Sequence, residues 1–416
     1  MDRLGRDAGA PAAPGALHGS AAAPRTPPPF WLLVLVTASG TLGMHIFIPA
    51  LPEAAAELGV GAGAAQLTIT LYMLGLAAGQ LVYGPVSDRT GRRPALLAGL
   101  GLYTLGCLGA LLANSLGALL AARLVQSLGG CAGLALGRAI VRDTAEPRAA
   151  AARLALLNLV LSASPGLSPV LGGWLAVLFG WRAVFAAMLA LALLTLALVL
   201  WRLPETASPG QGSGGGSPAA LLRGYGRLLR QPAFLGYVVG GGLATTSIYA
   251  FMAASPFIFV EELHRPVHEV GYYYFILILG MTLGSFLANR LLQRLAMGTL
   301  LRLAGGVALL GAALFLGAVL AGRLSVVTAV APVFLFVASC GLAAPVALTK
   351  AISVDPKAIG AAAGLYGCGQ MVIGALCTVA AGFGGDPALA SACVLLTAAL
   401  LSQLAFTVAL RHDRRD

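Results

Sequence analysis

Apolar runs of about 20 residues, the length that crosses a bilayer, recur from Phe30 almost to the last residue. The pattern predicts twelve spans, at 30–51, 64–86, 94–114, 117–141, 153–177, 181–202, 234–259, 269–291, 298–321, 325–349, 358–382 and 387–410. Short polar turns join most of them. An even number of crossings places both termini on one side.

The pattern is interrupted in three places. Residues 1–29 are rich in Ala, Pro and Gly, with Arg3, Arg6 and Arg25, and read as a disordered tail. The apolar run that follows begins too late for a secretory signal. A longer gap covers 204–233: a Gly/Ser run, which is a flexible linker, and then Leu221–Arg230, a basic amphipathic stretch suited to a membrane surface. This gap divides the chain into an N-terminal six-helix bundle, 30–203, and a C-terminal one, 234–410, with a short tail at 411–416.

Composition changes the picture in one respect. Hydrophobic residues make up 58% and charged residues only 10%, against about a quarter charged in soluble domains. Such a chain is an all-α membrane protein. The net charge of +11 suggests nucleic acid only until the charges are placed. All but four of the 26 Lys and Arg lie on the tails, the even-numbered loops and the span ends beside them. The exceptions are Arg182, Arg265 and Arg323 on the other side and Arg123 within a span. By the positive-inside rule both termini are expected to be cytoplasmic, and no nucleic-acid partner is expected. The six cysteines fall in or beside apolar runs without a C-x-x-C pair and read as packing residues.

One turn carries most of the information. After the run ending at Val86 come Ser87-Asp88-Arg89-Thr90-Gly91-Arg92-Arg93-Pro94, and the next run starts at Ala95. With Gly84 before it, this Gly-x-x-x-Asp, Arg-x-Gly-Arg-Arg pattern resembles the signature between helices two and three of the major facilitator superfamily. Gly284-Ser-Phe-Leu-Ala-Asn-Arg-Leu-Leu-Gln-Arg294 is a degenerate second copy after span eight. Together they fit two related bundles with a substrate site between them near the midplane.

Further stretches resemble one branch, the twelve-span drug:proton antiporters close to the bicyclomycin and chloramphenicol resistance exporters. They are Ile48-Pro-Ala-Leu-Pro52, Gln66-Leu-Thr-Ile-Thr-Leu-Tyr72, Arg123-Leu-Val-Gln126, Gly137–Asp143, Ser164–Gly173, Gly180-Trp-Arg182, Leu203-Pro-Glu-Thr206 and Ser255-Pro-Phe257. The resemblance implies the major facilitator fold, a multi-pass place in a bacterial inner membrane, and export of small drug-like compounds in exchange for protons. It implies a functional monomer and no cofactor.

The motif residues have physical uses of their own. Gly84 lets another helix come close. Asp88, at a helix C-terminus, is disfavoured by the macrodipole and needs partners. The resemblance supplies the start of span eleven and the nearby Arg89, Arg92 and Arg93 about Gly91, a gate that closes the cytoplasmic side. Pro165, Pro169, Gly172 and Gly173 place two helix breakers and two small residues in one span. In the resembled family this motif belongs to exporters and packs the halves together. Here Ser168 takes the place of its first Gly.

Arg123 carries a charge in the hydrocarbon region, at a cost of ~3 kcal/mol or more, so it requires a cavity or a partner. Gln126 shares its face. The resemblance gives this pair a part in proton coupling. The same branch has Asp four residues before the first Pro of the span-one motif, and this chain has His45. No carboxylate remains in the middle of any span. His45 exchanges protons near neutrality, and burial beside Arg123 favours its neutral form. The site then prefers neutral or anionic substrates. Tyr72, Tyr249 and Gln370 are further candidates for the cavity wall. Tyr272, Tyr273 and Tyr274 read as an interfacial aromatic belt.

Walker A, G-x-S-x-G and H-E-x-x-H patterns are absent, so no enzyme is expected. His264 and His268 form an H-x-x-x-H in a polar loop, read as solvated with no metal. The missing carboxylate leaves open an uncoupled facilitator for a neutral or anionic metabolite. A transporter-like sensor or scaffold is the third reading.

Overall fold

The computed structural model describes residues 28–206, 218–355 and 358–413. The expected tail over 1–27, the Gly/Ser run at 207–217 and residues 414–416 lie outside these. Twelve helices long and apolar enough to cross a membrane are present among the described residues. The first six are α1 (Phe30–Leu58), α2 (Ala62–Thr90), α3 (Arg92–Leu111), α4 (Leu116–Thr144), α5 (Arg148–Phe179) and α6 (Arg182–Arg202). The second six are α7 (Pro232–Glu262), α8 (Val267–Leu291), α9 (Met297–Leu320), α10 (Val326–Ser353), α11 (Ile359–Gly382) and α12 (Pro387–His412).

Each span reading is recovered, and the helices run past the apolar stretch where a cap exists. Ser115 accepts from the Ala118 amide to open α4, and Asp386 accepts from Ala388 and Leu389 to open α12. Gly91, at φ +97°, is the whole link between α2 and α3. Only glycine adopts that angle without strain. Large apolar side chains such as Leu105, Phe179 and Val327 are exposed on the outside, as lipid contact requires.

Two helices differ from the expected continuous spans. α1 is helical over Phe30–His45, tightens into a 3-10 turn at Ile48–Ala50 with Pro49, and resumes over Leu51–Leu58. α7 is helical over Pro232–Thr246, resumes over Ile248–Phe257 and ends in a π turn at Ile258–Glu262 after Pro256. Proline removes a backbone donor and crowds the preceding turn, so such breaks survive only inside protein or beside a cavity.

α1 to α6 pack on one another and α7 to α12 on one another, with α4 and α10 central to their halves. The halves meet through α2 against α11 and through α5 against α8. These two contacts exchange under the two-fold that relates the repeats. α2 and α11 touch from Gly63 against Gly382, through Met73 against Gly374, to Gln80 against Gly367. They then part: a Cβ added at Gly84 or at Gly360 meets nothing within 4 Å. The two ends of the molecule are called below the Arg92 rim, where they part, and the Arg182 rim, where they meet.

The linker helix spans Pro218–Leu228. It docks on the C-terminal half: Leu228 is buried and Arg227 pairs with Asp355 at 2.8 Å. On the same rim Lys350 of α10 pairs with Asp413 at 2.6 Å, and the Tyr237 hydroxyl of α7 donates to Asp413 at 2.9 Å. Burial alone would raise the Asp413 carboxyl, but these two bonds outweigh it and hold it below the usual carboxylate range. Lys350→Met is expected to cost up to about 1 kcal/mol, the upper range for such a partly exposed pair. The loss is read as a lower thermal midpoint in detergent. An unchanged midpoint would mean that apolar packing alone holds these three ends.

Candidate functional site

The site is built on the α1 break. Gly43 precedes it, and a Cβ there would strike the Tyr72 hydroxyl and lie 3.0 Å from the Tyr103 hydroxyl and the Met188 methyl. Glycine therefore lets α2, α3 and α6 crowd the helix at one level. The Tyr72 hydroxyl donates to the Gly40 carbonyl at 2.8 Å, and Tyr103 to the Ser39 carbonyl at 2.8 Å.

Arg123 of α4 reaches into this crowd and is fully buried. Its Nη1 donates to the Gly43 carbonyl at 2.8 Å and to Gln126 Oε1 at 2.7 Å. Gln126 passes the chain on to Cys107 Sγ at 3.1 Å. The guanidinium lies 4.2 Å from the Tyr72 ring centre, 5.6 Å from Phe47 and 5.9 Å from Phe185. These rings supply cation–π attraction in place of a counter-ion. Nε and Nη2 have no partner. No Asp or Glu is buried among the described residues.

His45 closes the helix before the break and is also buried. Its Nδ1 lies 2.8 Å from the Thr41 carbonyl, which can only accept. Nδ1 therefore carries hydrogen, and in the neutral ring Nε2 is an acceptor. Facing it at 3.4 Å is the hydroxyl of Tyr249, two residues after the Ser247 break of α7. The interrupted helices of the two halves thus meet at their breaks through His45 and Tyr249. Discontinuous helices in corresponding positions of two repeats are the usual mark of a transporter's binding site.

Five of the six residues expected at the cavity join this cluster: His45, Arg123, Gln126, Tyr72 and Tyr249. Gln370 does not. Its Nε2 donates to Thr245 Oγ1 at 2.8 Å, and its carbonyl accepts from Thr246 at 2.8 Å, so it ties α11 to α7 within one half.

The Pro/Gly motif of α5 adjoins the same break. A Cβ on Gly172 would coincide with the Ile46 carbonyl oxygen, and one on Gly173 would lie 3.1 Å from His268 Cα of α8. Gly271 of α8 returns the contact, packing on the Pro169 carbonyl and the Val170 backbone. Ser168 bonds back to the Ser164 carbonyl at 2.6 Å, one turn after Pro165 begins the breaker pair. Trp174 stacks on His268 at 4.7 Å and donates to Tyr272 at 3.0 Å. The tyrosine belt needs correction: Tyr272 is exposed, but Tyr273 and Tyr274 are buried, and Tyr274 bonds to Ser255 and to the Met252 carbonyl. Among the described residues no cluster suits a metal.

At the other rim one of the expected partners of Asp88 is in place and the other is not. The start of α11 stands off, and Asp88 pairs with Arg92 at 2.7 Å, half-exposed. Arg92 is the hub, only 14% exposed, and also pairs with Asp143 of α4 at 2.8 Å. Arg89 is exposed. Glu205, quoted above only inside Leu203–Thr206, proves central. Its carboxylate accepts the amides of Arg92 at 3.0 Å and Arg93 at 3.2 Å, capping the N-terminus of α3. Arg93 in turn donates to the Leu200 carbonyl at 2.9 Å near the C-terminus of α6. Each helix thus receives the charge its dipole favours from the other. A Cβ on Gly91 would sit 2.6 Å from the Glu205 carboxylate, a second reason for glycine there. The only prior signal for Glu205 was an acid beside a span end on the basic rim.

Comparison with known proteins agrees with this architecture. The Major Facilitator Superfamily model matches residues 33–378. "Multidrug resistance protein D" of Escherichia coli (strain K12) is 32% identical over 81% of this chain and 84% of its own. The "Bicyclomycin resistance protein homolog" of Haemophilus influenzae is 28% identical over 80% of this chain and 83% of its own. A crystal structure of a bacterial homolog of the human lysosomal transporter Spinster, inward-facing and occupied, superposes with a TM-score of 0.72 at 14% identity. It covers 92% of this chain and 96% of its own, a likeness of fold. With this match across both bundles and twelve crossing helices, the chain belongs to the major facilitator superfamily and is a multi-pass transporter of the inner membrane.

Proposed function

We propose that this protein exports small drug-like compounds by alternating access, driven by inward movement of protons. The observation that carries the reading is the meeting of the two helix breaks at His45 and Tyr249, buried between the halves. His45 is the proton carrier, Arg123 and Tyr72 hold the Gly43 and Gly40 carbonyls of α1 near it, and Gln126 braces Arg123. The names of the relatives, resistance to several drugs and to bicyclomycin, support drugs as cargo.

The Arg92 rim, both termini and the linker helix face the cytoplasm in this reading, since nearly all Lys and Arg lie there. The parting of α2 and α11 at Gly84 and Gly360 then supports a state whose cytoplasmic side has begun to open. In the opposite state the start of α11 closes onto Gly84 and Asp88, and the Gly172–Ile46 and Gly173–His268 contacts loosen.

The test is proton release in everted vesicles holding a preset pH gradient. Substrate-dependent collapse of the gradient, with a panel of antibiotics, is the expected result. The absence of a buried carboxylate among the described residues favours one second reading, an uncoupled facilitator. Transport that ignores the gradient would establish that reading and sink the antiporter.

A further inference from the structure

The joint between the halves offers very little charge. Among the described residues no carboxylate is buried, so nothing at this level neutralises a cation. Arg123 is the nearest full charge that α1 meets, but it is sealed. It has no exposed surface, the Tyr72, Phe47 and Phe185 rings lie around it, Nη1 is spent on Gly43 and Gln126, and Nε and Nη2 are buried without a partner. It reaches the joint as a positive field and offers no exposed donor.

The other groups that α1 meets here are uncharged. They are Tyr72 of α2, Tyr103 of α3, Tyr249 of α7, Gly172 of α5, and Phe185 and Met188 of α6. A cation brought to His45 would lose its water, find no counter-ion and be repelled by Arg123. An anion would lose its water without gaining an exposed donor from Arg123. A neutral molecule meets apolar surface, one acceptor at His45 Nε2 and one hydroxyl at Tyr249. Their mutual bond, at 3.4 Å, is long and readily exchanged for a shorter one.

We propose that the site is selective for electrically neutral compounds carrying an N–H or O–H donor for His45 Nε2, and that it rejects organic cations. This narrows the sequence expectation, which allowed anions because it placed Arg123 on the path. It rests on the export reading above and adds a charge balance to it. If an uncharged molecule leaves as one proton enters on His45 Nε2, each cycle moves one net positive charge inward. The membrane potential alone then drives transport.

The experiment uses the purified full chain in proteoliposomes, with a potassium diffusion potential imposed and no pH gradient. The neutral probe is chloramphenicol, which bears hydroxyl and amide donors, with a panel of other uncharged antibiotics. The cationic probe is tetraphenylphosphonium. A potential of about 100 mV acting on one charge supports an accumulation ratio of up to about 50-fold for the neutral probe. Tetraphenylphosphonium should stay at the rate of protein-free liposomes. His45→Asp restores a carboxylate and should admit tetraphenylphosphonium, whereas the neutral His45→Asn should not.

Wild-type transport of tetraphenylphosphonium at a rate like that of the neutral probe would overturn the inference and leave export intact. So would neutral transport that is indifferent to the potential but coupled to a pH gradient. If no probe of either class moved, the transport reading itself would fall, and this inference with it. The potential measurement needs no variant and stands even if the aspartate variant misfolds.

Discussion

Replacing His45 with alanine is expected to cut substrate-dependent proton release from everted vesicles by about 100-fold, the low end of what a positioned proton-transferring side chain contributes. Arg123 keeps its charge, and histidine is the side chain whose ordinary range lies near neutrality. No buried carboxylate exists among the described residues to take over. His45 is also the group that touches the other half, so its proton is placed where the two orientations differ. Tyr249→Phe should be far milder, because it removes only a 3.4 Å bond and leaves Nε2 in place. If the alanine variant collapsed the gradient as fast as wild type, the carrier would have to be sought elsewhere.

The second large effect separates two glycines. Gly84→Val is expected to leave the thermal midpoint unchanged, since a side chain there meets nothing within 4 Å in this state. It should nevertheless reduce transport by more than about tenfold, a barrier of ~1.4 kcal/mol, because the proposed closing of α11 onto α2 needs that space. Gly172→Val should do the reverse. Its Cβ would coincide with the Ile46 carbonyl, and overpacking of this kind costs about 1–3 kcal/mol or more. The midpoint should fall, and the Arg182 rim should be driven open. Wild-type transport by Gly84→Val would show that the halves never approach more closely at that point.

The sequence made the spans, the two halves and the Asp88–Arg93 turn legible because each is a local signal. A run of apolar residues, a cluster of arginines and a glycine between helices declare themselves within a dozen positions. Arg123 and Tyr72 stood out as polar residues in apolar surroundings, and His45 as the residue in the slot where the resembled branch has Asp. What stayed hidden is long-range. That Glu205 caps α3 depends on where the end of α6 lands. That Tyr249 faces His45 depends on how the halves dock, and the same docking left Gln370 in a separate bond network. The α7 break was unreadable for another reason. Ser247 is no breaker by type.

Arg123 has a consequence for how the protein is made. A lone arginine within a span resists entry into the bilayer, by up to about 2.5–3.5 kcal/mol at a span's centre on the insertion scale and by less toward an end, where Arg123 lies. α4 carries that burden, yet the groups that receive the guanidinium come mostly from segments synthesised before it: the Gly43 carbonyl and Phe47 from α1 and the Tyr72 ring from α2. Only Gln126 and Phe185 come later. Stable insertion of α4 is therefore expected to depend on α1 and α2 being in place, since a mispaired amino-terminal half would leave the charge unreceived.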